Sequence, residues 1–209
     1  MKILNPAVTD DLRQGRPLAL NLGAGLRARP GDYSVDHLEL PGIDVVADLG
    51  APLSALPDNC AGAVFSNHVL EHVPNFLGLL SEIHRITQPD GLIEIVVPHF
   101  SNPYHYSDPT HVRTFGLYSF FYFADEGDQP RRKVPNFYLP IRFRVEEVGL
   151  RLLTGSIVTK PLVKAVNYLV NRGLGLLDWY ERRLCRFLPA ESIRYVLRPI
   201  KAISQRAAA

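Results

Sequence analysis

The chain reads as an α/β domain built on parallel strands joined by crossover helices, and three observations predict it. Short apolar runs with strand character alternate with helix-like stretches through the N-terminal half. The first of those runs ends in the glycine turn Gly23-Ala24-Gly25, at the strand end where open α/β sheets take their ligands. Finally, 209 residues that are 46% hydrophobic and 21% charged suit one substantial domain with an appendage and exclude a disordered, collagenous or coiled-coil chain.

The strand-like runs follow in order. Pro17 to Leu22 (PLALNL) is the first, and Tyr33 to Leu38 the second, with Asp36 at its carboxyl end. Asp44 to Ala47 is a short third, followed by Asp48, and Gly62 to Ser66 (GAVFS) is a fourth, after the turn Pro57-Asp58-Asn59. Pro74 opens a helix to about Gln88, with Phe76, Leu77, Leu80, Ile83 and Ile86 spaced to share a face. Pro89-Asp90-Gly91 reads as a turn, and Leu92 to Val97 (LIEIVV) is β-branched enough for a buried central strand. Between Pro98 and Pro140 regularity fails, and a loop of that length in a compact domain is expected to be a lid or substrate-binding insertion. Phe143 to Leu153 returns to alternation and closes the sheet, whereas Lys160 to Gln205 reads as helical, with Leu177, Tyr180, Leu184 and Phe187 on one face. The expected organisation is therefore a domain over 1–155, its insertion at 98–140, and a basic helical extension over 156–209.

Charge follows that division. Residues 1–129 hold 7 Lys/Arg against 16 Asp/Glu, and residues 130–209 hold 16 against 5, so an acidic body carries a basic end able to meet phosphate, anionic lipid or an acidic partner. A solvated basic helix face explains the same count. No run of about 18 apolar residues occurs, and MKILNPAVTDDLRQG turns polar too early for a signal peptide. Cys60 and Cys185 are isolated, so neither a disulfide framework nor a paired metal motif is expected, and a reducing, cytoplasmic setting fits.

Glycines at 23 and 25 let the backbone turn tightly, approach a ligand closely and present N–H groups and a helix N-terminus to it. Asp36 is then placed to accept hydrogen bonds from both hydroxyls of a ribose, and Asp48 to line a base pocket. These segments, LNLGAG (Leu20 to Gly25), VADL (Val46 to Leu49), FSNHVLEHV (Phe65 to Val73) and PDGLIEIVVP (Pro89 to Pro98), occur in the order seen in class I S-adenosylmethionine-dependent methyltransferases, which the chain resembles from Pro17 to Pro98. The resemblance implies a Rossmann-like, doubly wound, mostly parallel seven-stranded sheet, S-adenosylmethionine as cofactor, and methyl transfer to a nucleophile. It also implies that Gly23, Ala24 and Gly25 hold the methionine end, Asp36 the ribose, Asp48 and Leu49 the adenine, and that Asn67 and His68 sit beside the cofactor. Asn21 stands where many members carry an acidic residue, which removes a contact to the methionine amino group. A nicotinamide oxidoreductase competes, because Gly23, Gly25 and Ala28 satisfy G-x-G-x-x-A; yet Asp36 lies thirteen residues past Gly23, short of the roughly 20 of that fingerprint.

The insertion PHFSNPYHYSDPTHVRTFGLYSFFYF brings His99, His105, Asp108 and His111 within thirteen residues. Three readings stay open. A neutral imidazole, His105 or His111, takes the proton of a substrate hydroxyl while Asp108 orients it; the four bind a metal, although their spacing fits no standard pattern; or they stitch a rigid loop together. HYSDPTH-like segments resemble those of methyltransferases of bacterial surface-polysaccharide and glycolipid assembly, which implies a sugar or other small hydroxylated acceptor. Tyr104, Tyr106, Phe115, Tyr118 and Tyr122 either stack on a sugar or form the insertion's own core. Glu71 and His72 face substrate or serve the start of a helical turn, and Arg113 pairs with Asp108 or a substrate phosphate. The basic end docks on the body, makes a homodimer contact or lies on anionic membrane; without a reader motif, nucleic acid is not expected. A protein that binds the cofactor without turning it over, as a scaffold or regulator, is the non-enzyme alternative.

Overall fold

The computed structural model describes residues 1–154 and 160–201. Eight strands form a single sheet in the order β1-β4-β3-β2-β5-β6-β8-β7. They are β1 (Lys2–Ile3), β2 (Leu18–Leu22), β3 (Tyr33–Asp36), β4 (Val45–Val46), β5 (Ala61–Asn67), β6 (Thr87–Pro98), β7 (Arg142–Leu152) and β8 (Ala190–Ile200). That is one more than the seven the resemblance implies: six coincide with the strand-like runs of the sequence, and the other two are β8 and the two-residue β1, which pairs antiparallel on the edge with β4. Strands β4, β3, β2, β5 and β6 are parallel neighbours, so their carboxyl ends emerge along one edge. That edge is where the glycine turn, both predicted acids and the Asn67-His68 pair lie.

The connections are shorter than the sequence suggests. Ten residues separate β2 from β3, fewer than the dozen or more that a helical crossover needs, and this stretch forms turns without a helix. Pro30 and the left-handed Gly31 (φ 89°) reinforce that outcome. The predicted helix N-terminus at the glycine turn is therefore absent. Helices do flank the sheet as α1 (Pro6–Arg13), capped by the Asn5 side chain, and α2 (Phe76–Ile86), whose first turn is capped by Asn75 through the Gly78 N–H. Helix α2 buries Phe76, Leu79, Leu80, Ile83 and Ile86, while Leu77 points outward. The expected turn at Pro89-Asp90-Gly91 is absorbed into β6 as a bulge: Ala61 faces Thr87 but Ala63 faces Leu92.

A larger correction concerns the C-terminal end. Helices α3 (Lys160–Val170) and α4 (Leu174–Arg183) match the helical reading, but Ala190–Ile200 is a strand lying antiparallel between β6 and β7. Its burial is nearly continuous, with Ile193, Tyr195 and Leu197 fully enclosed, as expected for a strand covered on both faces. Leu177 and Tyr180 at helical spacing invited the helix to be extended through it. Position 155/156 is thus no boundary of the sheet, because 190–200 completes it. Two arginines counted with the basic end are tied across the sheet: Arg194 pairs with Glu94 (3.0 Å) and Glu147 (2.9 Å), and Arg198 with Glu146 (2.7 Å). Arg206 and the rest of 202–209 lie outside the described residues.

The insertion is anchored by its aromatic residues. Phe115, Phe120 and Phe121 are buried; Phe76 of α2 meets Phe115, Phe120 and Phe123 edge-on, and Tyr195 of β8 packs on Phe120 at 4.5 Å. A chain ending at Pro189 loses the partner that β6 and β7 share and the Tyr195 wall of this cluster. Such a truncation is expected to show no cooperative thermal transition by circular dichroism, whereas a transition near that of the full chain would restore the view of 156–209 as an appendage.

Candidate active site

Gly23 and Gly25 both have positive φ (65° and 52°), the left-handed region that glycine enters without a Cβ clash. At Gly23 space is also short, since a Cβ there would run into the Val69 side chain. The turn does not offer its amides to a ligand as expected. The Gly23 and Ala24 N–H groups donate to Val35 O (2.8 and 3.1 Å), and the Gly25 N–H donates to Asp36 Oδ2 (2.9 Å). Asp36, buried at the end of β3, also accepts from the Leu38 N–H through Oδ1 (3.1 Å), with His37 Nδ1 at 3.1 Å. The turn is thus clamped to β3, and the Asn21 amide, donating to Arg27 O at 3.1 Å, holds its far side.

Two cavities open on either side of Gly23. One of about 320 Å³ is lined by Gly23, Asp36, Asp48, Leu49, His68 and His72. The other, of about 370 Å³, is lined by residues including Asn21, Ala24, Phe65, Asn67 and Glu94. A larger space of about 770 Å³ lies between β7 and α3, among basic residues and none of the predicted site residues. The first cavity therefore gathers five of the eight predicted cofactor residues, with Ala24 and Asn67 on the second and Gly25 behind Asp36. Asp48 Oδ1 is partly engaged by the Gly50 N–H (2.8 Å). His68 takes φ 56°, a left-handed conformation unusual outside glycine, fixed by its N–H donating to Val96 O (2.9 Å).

Beside that first cavity the insertion lays down a histidine cluster. The Val112 N–H donates to Glu71 O (2.9 Å), which pins the insertion to the turn after β5. The rings of His72 and His111 then meet at 4.6 Å, as do those of His105 and His111. His111 Nδ1 lies 2.8 Å from His105 O; a carbonyl only accepts, so Nδ1 carries the hydrogen and Nε2 the lone pair. The Thr110 hydroxyl donates to Asp108 Oδ1 (2.6 Å) and so accepts from His72 Nδ1 (2.8 Å), which leaves the His72 lone pair on Nε2 as well. Asp108 Oδ2 stands 3.7 Å from His111 Nε2, beyond hydrogen-bond reach. The His105 carbonyl, not Asp108, orients His111, and Asp108 acts on His72 through Thr110.

Burial pushes the His105 imidazole below its usual value, helped by the nearby His111. Hydrogen bonds from the Thr110 hydroxyl and then its N–H hold Asp108 below the usual carboxylate range. His99 joins none of these groups: it is fully buried, with Nδ1 at 2.7 Å from Ser101 Oγ and Nε2 at 3.2 Å from Glu181, and packs on Phe100. Arg113 meets neither Asp108 nor an open cavity; it donates to Pro74 O (3.0 Å) and stacks over Phe76. Of the aromatics offered for sugar stacking, Phe115 and Tyr118 belong to the core, and Tyr104 and Tyr106 are exposed. Glu71 and His72 are the residues whose importance the sequence left open. The signal was there in HVLEH, where His68 and Glu71 stand one turn apart and His72 follows.

Residues 30–95 match the family model described as a methyltransferase domain, a span that includes Asp36, Asp48 and the whole HVLEH segment. By enzyme class this is an S-adenosylmethionine-dependent methyltransferase, and S-adenosylmethionine is its cofactor. The fold is shared with an S-adenosylmethionine-dependent methyltransferase from Archaeoglobus fulgidus, at 17% identity over 92% of each chain and a TM-score of 0.50. It is shared likewise with the YcgJ protein of Bacillus subtilis (11% identity, 94% of this chain and 98% of that one, TM-score 0.50). A third similar structure, from Haloferax volcanii, is that of a complex between the Trm112 methyltransferase activator and a methyltransferase (13% identity, 89% and 83%, TM-score 0.52). No curated protein matches the sequence.

His105 and His84 are both held below the usual histidine value of 6.5, chiefly by burial. A histidine whose folded pKa is depressed stabilises the fold above the unfolded value and loses that contribution as pH falls through the folded one. The methyltransferase is accordingly expected to unfold at lower urea concentration at pH 5.5 than at pH 7.5, and His105→Gln to narrow that difference. A midpoint independent of pH over this range would contradict the buried, neutral state of His105.

Proposed function

We propose that this methyltransferase transfers the methyl group to a hydroxyl oxygen of a sugar or another small hydroxylated acceptor. The observation that carries the reading is the placement of His72 in the lining of the cavity that also holds Asp36 and Asp48, with the His111 ring against it and Nδ1 of each ring engaged by an oxygen. Bound S-adenosylmethionine supplies an electrophilic methyl group on sulfonium. Asp36 would hold the ribose, since each of its oxygens accepts one amide N–H and a carboxylate has about four lone-pair sites. Asp48 and Leu49 would border the adenine, the turn at Gly23–Gly25 the methionine end, and Asn67 and His68 would flank the cofactor. The acceptor hydroxyl would lose its proton to the cluster, with His111 Nε2 as the acceptor of that proton, and His105 fixing the ring through its carbonyl. Positioning of hydroxyl against methyl supplies much of the acceleration. The segment near His105–His111 would cover the acceptor, the stretch from Phe115 to Ala124 being built into the core.

A second reading concerns where the reaction takes place. Helices α3 and α4 expose Leu162, Leu169, Trp179 and, just beyond, Phe187 at 85%, alongside exposed Lys160, Lys164, Arg172, Arg182, Arg183 and Arg186. Apolar side chains flanked by cations suit the surface of an anionic membrane, which would bring the site near lipid-linked glycans. No helix among the described residues is long and apolar enough to cross a membrane. Trp179 is the single tryptophan of the chain, so its emission is expected to shift to shorter wavelength on vesicles containing phosphatidylglycerol and not on neutral vesicles, with the shift reversed by salt. Unchanged emission on both would leave α3 and α4 as an appendage of the body.

Calorimetric titration with S-adenosylmethionine, S-adenosylhomocysteine and NAD tests the cofactor assignment without knowledge of the acceptor. Binding of both adenosyl compounds and not NAD is expected, and Asp36→Ala should weaken it by at least about tenfold while circular dichroism shows an intact fold. With an acceptor from a screen of nucleotide sugars and lipid-linked glycans, His111→Asn should lower kcat by roughly 10²-fold with cofactor affinity preserved. Cofactor binding with no turnover of any acceptor would favour a scaffold, and preference for NAD an oxidoreductase.

A further inference from the structure

Glu71 is 0% exposed, and neither of its carboxylate oxygens has a hydrogen-bond partner. The backbone amides that could cap it are not there, and the nearest basic group is His68 Nδ1 at 3.3 Å. An ionised carboxylate in such a place is costly unless positive charge meets it. Two further ligand-bearing side chains converge on it from different parts of the chain. His72 is the next residue, and His111 is delivered by the insertion through the Val112 to Glu71 backbone bond. One ligand atom from each of Glu71, His72 and His111 lies within 4.8 Å of the others.

The hydrogen bonding around the two imidazoles is that of metal-binding histidines. Such residues donate one ring N–H to a carbonyl or a carboxylate-linked group and coordinate through the other nitrogen. His111 donates Nδ1–H to the His105 carbonyl, and His72 donates Nδ1–H to Thr110, which is itself held by Asp108. With Nδ1 engaged on both rings, Nε2 is the nitrogen of each that is left for a ligand, and a ring nitrogen of each lies within 4.8 Å of a carboxylate oxygen of Glu71. We propose that Glu71, His72 and His111 bind one divalent transition-metal ion, of the zinc class, at the rim of the cofactor cavity that His72 lines. Two imidazoles and a carboxylate are a donor set of that class. With bonds of about 2.0–2.2 Å the donors must approach one another to within about 4 Å, so the side chains close by about 1 Å around the ion.

What the ion does rests on the methyl-transfer reading. As the fourth ligand, the acceptor hydroxyl would have its pKa lowered; its proton would go to solvent, its oxygen would form the new bond to the methyl carbon, and the methyl–sulfur bond would break with its electron pair going to sulfur, so that S-adenosylhomocysteine leaves. The ion would then take over from the bare His111 imidazole the ionisation of the acceptor.

The test is titration of chelator-treated, full-length protein with Zn²⁺ alone, repeated with Co²⁺ for its visible absorption. One ion per chain is expected, with a raised thermal midpoint and Co²⁺ bands of a four- or five-coordinate site. Glu71→Gln, His72→Asn and His111→Asn should each weaken binding by more than about tenfold, and His37→Asn should leave it unchanged. Thr110→Val keeps all three ligands and removes the partner of His72 Nδ1 together with that partner's bond to Asp108, so weaker Zn²⁺ binding in that variant is expected even if a ligand variant fails to fold. No binding to the wild type, or binding untouched by Thr110→Val and by every folded ligand variant, would overturn the site. S-adenosylmethionine titrated into the metal-free protein is read separately, so loss of the cofactor reading and loss of the ion site give different results.

Discussion

The turns that follow β2 and β5 touch at Gly23 and Val69, and every group at the strand ends is positioned from that contact. Val69 occupies the space a Cβ at residue 23 would need, so only glycine lets the two turns meet. Once they do, the Gly23 and Ala24 amides reach Val35 and the Gly25 amide reaches Asp36, which sets the acid at the floor of the cavity. On the other side of the contact, the chain leaving β5 is forced into the left-handed conformation of His68 and turns at once into Leu70-Glu71-His72. A single close approach thereby fixes the acidic end of the cavity and its histidine rim relative to one another.

The second requirement is that the insertion hold still. A histidine on a free loop would have no fixed tautomer or direction, whereas His105 and His111 lie on a segment nailed down at both ends. Asn102 donates its amide to Glu191 O (2.8 Å) and caps the Tyr104 N–H, and Phe115 and Phe120 pack against α2 and β8. Strand β8 thus serves the site although it contributes no residue to it. The same strand absorbs Arg194 and Arg198 into cross-sheet pairs, whereas the basic side chains of α3 and α4 stay exposed, Arg182 beside Asp178. His99, by contrast, is used up in fastening β6 to α4 through Glu181.

The sequence determined the parallel half of the sheet, because a buried strand flanked on both sides is apolar at nearly every position and leaves a mark such as LALNL or LIEIVV whatever its neighbours. It also determined the acids at the ends of β3 and β4, since a turn residue directly after a strand can only lie at the strand's end. Helix α2 was legible for the same local reason, its apolar spacing being that of the face it buries. Tertiary structure alone decided the rest. Ala190–Ile200 is a strand because β6 and β7 leave a gap of one strand between them, and no window of sequence contains that gap. Which histidines meet was likewise beyond reach: His99 and His105 are six residues apart and meet different groups, while Glu71, His72 and His111 come together across some forty residues. Spacing along the chain reports local geometry; convergence depends on where the β5 turn and the insertion are pinned, and that is set by a valine against a glycine and by phenylalanines in the core.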